Sequence, residues 1–153
     1  MPLTQKDKPI FFTDQKSGVA TRANGDGAAT LGSNTNTAAI YTGATTYGSM
    51  VTALLCSTDD TTAGNAYIFI YNGSSVRPLG IVNIPIQSGD LSTVAAVDLL
   101  NGSGVTLVGL PRDAQGKQYI MLDDGEVLKV GMKAAPTAAK TFNFTALVLD
   151  GTA

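Results

Sequence analysis

Tyr67-Ile68-Phe69-Ile70-Tyr71-Asn72-Gly73-Ser74-Ser75-Val76, continuing to Ile84, decides how the chain is read. Five β-branched or aromatic residues run into Asn-Gly, and a second apolar run resumes at Val76. Such residues pack well on a pleated surface. Asn-Gly accepts the positive φ angles that tight hairpin turns require. The stretch therefore predicts two strands, 66–71 and 76–84, joined by a hairpin.

The same texture extends outward in both directions. Strands are predicted over 38–42, 50–56, 93–100, 105–107, 118–122, 126–132 and 141–149, separated by Gly, Asn, Asp and Ser clusters. A second hairpin is predicted where 119–122 runs into Asp123-Asp124-Gly125 and Glu126 to Val130 resumes. The last run begins as a strict alternation, with Phe142 and Phe144 opposite Thr141, Asn143 and Thr145. Toward Leu149 it becomes apolar on both faces, which predicts either a strand covered on its two sides by another sheet and a neighbouring subunit or, in first place, a central strand whose outer face is covered by a loop. Helical signals are poor, since the Ala-rich stretch 134–139 contains Pro136. Short strands spaced by turn residues predict an all-β fold, a two-sheet antiparallel β-sandwich. Jelly-roll topology is preferred over an immunoglobulin-like one.

Residues 1–36 look different. Pro2, Pro9, Gly18, Asn24-Gly25-Asp26-Gly27 and Gly32-Ser33-Asn34 surround one apolar cluster, Ile10-Phe11-Phe12. The expectation is an extended N-terminal arm over 1–36, anchored at Ile10, Phe11 and Phe12, followed by a sandwich domain over 37–153; the alternative is a frayed terminus whose aromatic pair tucks onto its own domain. Removal of the arm is expected to leave a folded domain that no longer binds its partner.

Composition narrows the function. The chain has 153 residues, 44% hydrophobic and 14% charged, with a net charge of −2. That suits one folded domain with an uncharged polar surface rather than a disordered chain. No run of Lys or Arg is present, which argues against nucleic acid and anionic membrane as partners. No stretch is apolar enough for a membrane span, and no signal-peptide core is visible. Synthesis in a cytoplasm is expected. One cysteine excludes an intrachain disulfide.

There is no histidine, so the commonest general base and the commonest metal ligand are both missing. Cys56 sits in the apolar run Ala53-Leu54-Leu55-Cys56, where a cysteine serves as a small hydrophobe. Asp59-Asp60 and Asp123-Asp124 read as turn residues. Gly25-Asp26-Gly27 and Gly102-Ser103-Gly104 lack the following Lys-Ser/Thr of a phosphate loop. These patterns predict no enzyme, no catalytic residue, no cofactor and no metal. Tyr67, Phe69 and Tyr71 share one face of a predicted strand and are candidate interface aromatics.

Several further stretches carry a resemblance: Ser57 to Thr62, Tyr67 to Gly73, Pro78 to Pro85, Ala95 to Leu100, Gly109 to Lys117, Leu128 to Val130 and Ala138 to Thr141. Together they resemble a family of small β-rich structural proteins of tailed bacteriophages and prophages, over about residues 38–151. The likeness lies in strands and turns, not in a chemical motif. It implies a virion component, in first place a head decoration (cement) protein bound to the major capsid protein or other virion proteins, and a homotrimer. The alternatives are a tail, baseplate or neck protein, or a carbohydrate- or receptor-binding module using Tyr41, Tyr47 and Tyr71.

Overall fold

The computed structural model describes residues 10–90, 94–102 and 107–152. Its strands are β1 (Phe11–Ala23), β2 (Ala38–Thr42), β3 (Ser49–Thr58), β4 (Gly64–Tyr71), β5 (Val76–Ile84), β6 (Val97–Asp98), β7 (Ile120–Leu122), β8 (Val127–Met132) and β9 (Thr141–Thr152). The first sheet has the order β1-β9-β3-β6, with β7 also on β3, and the second has the order β2-β8-β4-β5. All pairings are antiparallel. Except at β4–β5 and β6–β7, the chain changes sheet between successive strands. The last two strands return beside the first two. This is the jelly-roll order, as the sequence pattern predicts.

Alternation builds the core. Phe142, Phe144, Ala146 and Val148 of β9 and Val51, Leu54 and Cys56 of β3 point inward from the first sheet. Ala66, Ile68 and Ile70 of β4, Leu128, Val130 and Met132 of β8, and Val82 and Ile84 of β5 meet them from the second. The β4–β5 hairpin forms as predicted. Gly73 takes a φ of 95°, and Asn72 Oδ1 accepts from the backbone N–H groups of Ser74 and Ser75. Along its free edge β5 carries Arg77 and Pro78, and its pairing with β4 shifts register beside Pro78. A proline cannot donate to a ladder, so this edge is blunted against strand addition.

The chain departs from the sequence reading in three places. Residues 11–23 are extended, but they are not an arm outside the domain. They form β1, which pairs with β9 from Phe11↔Thr152 to Ala23↔Thr141. Gly18, Ala20 and Arg22 form its buried face, so it shows no row of large apolar residues. The reason is a close approach: a Cβ on Gly18 would collide with the carbonyl of Ile40 on β2. Small residues let β1 close one side of the sandwich.

Second, Asp123-Asp124-Gly125 does not make a hairpin. Gly125 has the positive φ of a tight turn, yet β7 pairs with β3 and β8 with β2 and β4. The turn carries the chain from one sheet to the other. Third, of the strand expected over 93–100, Thr93 lies outside the described residues and the rest is reduced to Val97–Asp98, where Asp98 Oδ1 accepts from the N–H groups of Leu100 and Asn101 and starts a turn. Of the strand expected over 105–107, only Leu107 is among the described residues, and it is buried in the core.

The segment between β1 and β2 packs on the outer face of β8. Arg22, buried, donates from Nη2 to the carbonyls of Asp26 and Asn36 at 3.1 and 2.8 Å. Ala29 N–H donates to Met132 O. Gly131 admits this segment, because a Cβ there would lie 2.5 Å from the Ala29 side chain.

Candidate interaction surface

The expected anchor residues lie at one end of the sandwich. Ile10 and Phe11 are 43% and 56% exposed, and Phe12 is half-buried. Phe11 and Phe12 pair with Thr152 and Gly151 at the end of β9.

Tyr67, Phe69 and Tyr71 lie on the outer face of β4, opposite the inward Ala66, Ile68 and Ile70. They do not form an open aromatic row. Phe69 is only 3% exposed and lies in register with Lys129 of β8. The Lys129 ammonium sits 5.2 Å from the Tyr71 ring centre and donates to Asn34 Oδ1 at 2.6 Å. The Tyr71 hydroxyl donates to Gly73 O at 2.6 Å. Burial lowers the Lys129 pKa from its ordinary value, because a desolvated ammonium loses hydration.

The Asp150 and Asp59–Asp60 clusters are satisfied within the fold, whereas the buried Nε of Arg22 has no hydrogen-bond partner among the described residues. The Tyr41 hydroxyl on β2 reaches Asp150 on β9, and Ser49 Oγ donates to the same carboxylate at 2.5 Å. Burial, with the Asp150 carboxylate as hydrogen-bond acceptor and neighbouring charge, pushes the Tyr41 pKa up to about 12. Asp60 accepts from Thr137 N–H, Thr137 Oγ1 and Thr62 N–H at 2.7 to 2.9 Å. Burial pushes its pKa upward, but those hydrogen bonds outweigh it and the net shift is downward. Asp59 is held below its ordinary value first by the Thr141 N–H, assisted by Lys140. Burial pushes the Cys56 thiol upward, away from the thiolate that a nucleophile needs.

A cavity of about 300 Å³ opens at the β9 start, floored by Met132, Phe142 and Pro136 and rimmed by Asn65, Lys133 and Asp60. The Asp60 carboxylate faces its own chain and is already bonded. Among the described residues, no three His, Cys, Asp or Glu side chains gather as metal ligands, and no helix is long and apolar enough to cross a membrane.

The outer face of the first sheet has a different character. Four cross-strand rows run over β1, β9 and β3: Thr21–Asn143–Ser57, Val19–Thr145–Leu55, Ser17–Leu147–Ala53 and Gln15–Leu149–Met50. Met121 of β7 extends the last row. None of these side chains ionises. Val19 and Leu147 are 72% and 48% exposed, so the loop cover expected over the end of β9 does not extend to Leu147. The strand is apolar on both faces, and one of them is open. Sequence reasoning registered the apolar outer residues of β9. Their partners on β1 are not legible there, because residues 11–23 carry the pattern of an extended arm.

No protein-family model, no curated protein and no solved structure matches the chain.

Proposed function

We propose that the chain is a non-enzymatic structural protein of a tailed-phage particle, a head decoration (cement) protein that binds the capsid surface and stabilises it. The observation that carries this reading is where the exposed apolar side chains lie. Of the eight large apolar residues exposed among the described ones, Ile10 and Phe11 lie at the start of edge strand β1 and Val19 and Leu147 stand on an open sheet face, whereas Leu31, Ile81, Ile86 and Val108 lie elsewhere. The polar clusters, by contrast, are spent on holding the sandwich together. That profile suits protein–protein attachment more than turnover. The resemblance of residues 38–151 to small virion proteins supplies the class of partner, the major capsid protein or another virion protein. The fold does not choose by itself, because jelly rolls host many functions.

Attachment through Ile10 and Phe11 has a favourable feature. Burying such side chains contributes about 1.5–3 kcal/mol each, while ordering a flexible segment costs about 1–2 kcal/mol per residue. Residues 11–23 are already ordered by pairing with β9, so contact at Phe11 does not bear that cost. Many such contacts on one shell act together.

The test is co-sedimentation of the purified chain with particles lacking it. Ile10→Ser with Phe11→Ser should leave the fold intact and weaken binding by at least about tenfold. Undiminished occupancy by the double variant would remove these residues from the attachment, and failure of the parent chain to bind would contradict the role. A tail, baseplate or neck location shares these surface features and differs only in where the chain is found.

A further inference from the structure

We propose that the outer face of the first sheet is covered by the same face of a second copy of this chain, related by a two-fold axis. This inference goes beyond the virion reading and does not rest on it.

Three observations choose this occupant. The first is charge. Over β1, β9 and β3 the four rows contain no ionisable side chain. In the one row that continues to β6, Asp98 stands next to Leu55, but its carboxylate turns to accept from the Leu100 and Asn101 N–H groups. Asp59 and Asp90 border the face beside Ser57 and Asn143, and the Asp59 carboxylate is engaged by Lys140 and the Thr141 N–H. The neutral rows themselves offer nothing to a phosphate backbone, an anionic membrane or a charged groove. It meets its own copy without repulsion.

The second observation is chemical self-complementarity. A two-fold contact places one patch against itself, residue i of one copy meeting residue j of the other and the reverse, so the patch as a whole must complement itself. Val19, Leu147, Leu55 and Met50 are apolar. Between them stand hydroxyls and amides such as Thr145 and Asn143, which both donate and accept. An interface of two such faces can therefore satisfy its own polar groups.

The third is size. β1, β9 and β3, which make up the face, are thirteen, twelve and ten residues long. At about 4.8 Å per strand and 3.4 Å per residue, they present roughly 570 Å² in plan, to which the relief of the side chains adds. That is of the order of the roughly 800 Å² that each partner contributes to a standard interface. Two such sheets packed face to face would lie about 10 Å apart, as in a sandwich core. The contact pairs two copies, unlike the three that the family resemblance implies. A closed three-fold ring joins two different patches, whereas this is a single patch fitted to itself.

The test is the solution mass of the full-length chain by sedimentation equilibrium, free of particles, over about 1–100 μM, the range of a stable but reversible pair. The expected result is twice the chain mass. Leu147→Lys or Val19→Lys should weaken the pair by at least about tenfold, since each buries an unpaired ammonium. Ser17→Lys, at an exposed polar position in the Leu147 row, provides the same test should an apolar replacement disturb folding. Ile81→Lys, on the outer face of the second sheet, should leave the pair unchanged. A single-chain or three-chain mass for the parent protein would overturn the proposal. So would a pair that survives Leu147→Lys, Val19→Lys and Ser17→Lys, or one that Ile81→Lys dissolves equally.

Discussion

The Tyr41 hydroxyl lies 2.9 Å from both carboxylate oxygens of Asp150, so a β2 side chain of the second sheet is bonded to a β9 side chain of the first. Ser49 of β3 joins the same carboxylate, and its oxygen accepts from Ala44 N–H at 2.8 Å. The cluster therefore ties three strands and both sheets at one end of the sandwich. Hydrogen bonds to a charged group are stronger than neutral ones.

Tyr41→Phe should cost about 1–3 kcal/mol of stability, read from denaturant unfolding. The pH dependence has a definite sign. A tyrosine whose folded pKa is about 12 against an ordinary 10.0 holds its proton more tightly when folded. Its contribution is complete below pH 10 and is lost as pH rises toward 12. Ultraviolet titration should show a late-titrating tyrosine signal that Tyr41→Phe removes. If the variant leaves the alkaline loss of stability unchanged, the cluster does not cause it.

Asp60 should govern the acid limb. Its folded pKa is lowered, so its stabilisation is present above the ordinary carboxylate value of 3.8. It is lost as pH falls through the folded pKa. Asp60→Asn keeps the size but replaces one acceptor oxygen by a donor facing Thr137 and Thr62. A loss of about 1–3 kcal/mol near neutrality, with a shallower acid decline, is expected in urea titrations at several pH values. An acid decline as steep as that of the parent chain would assign it to other carboxylates.

Gly18→Val tests the membership of β1 in the domain. The added side chain must enter the space of the Ile40 carbonyl, an overpacking that costs about 1–3 kcal/mol or more. Deletion of residues 1–36 should go further and abolish cooperative unfolding, because β9 loses its partner along β1 and Ala20 and Arg22 leave the interior. A cooperative thermal transition in the truncated chain would restore the boundary at residue 36.

These residues also mark what the sequence discloses. Val76–Ile84 and Ala38–Thr42 are legible to the residue, because turn residues bound these runs of aliphatic, β-branched and aromatic side chains on both sides. β1 is hidden because closeness to β2 selects Gly18, Ala20 and an arginine over large apolar residues. Asp123-Asp124-Gly125 discloses a tight turn but not which sheet the chain enters next, since hairpins and crossovers use the same positive φ. Of the candidate surface, Leu147 and Leu149 are visible as an apolar outer row on β9. Its neutrality across three strands emerges only when register sets Val19 beside Thr145 and Leu55. Of the candidate interface aromatics Tyr67, Phe69 and Tyr71, Phe69 is buried and Tyr71 lies under the Lys129 ammonium, a placement that depends on the β4–β8 pairing.

The most direct measurement of the decoration role is the position of the chain on intact particles of a phage that encodes it, using gold-labelled Fab fragments and electron microscopy. The role predicts label spread over the head. Label confined to the tail or neck, or absent from every particle, would contradict it.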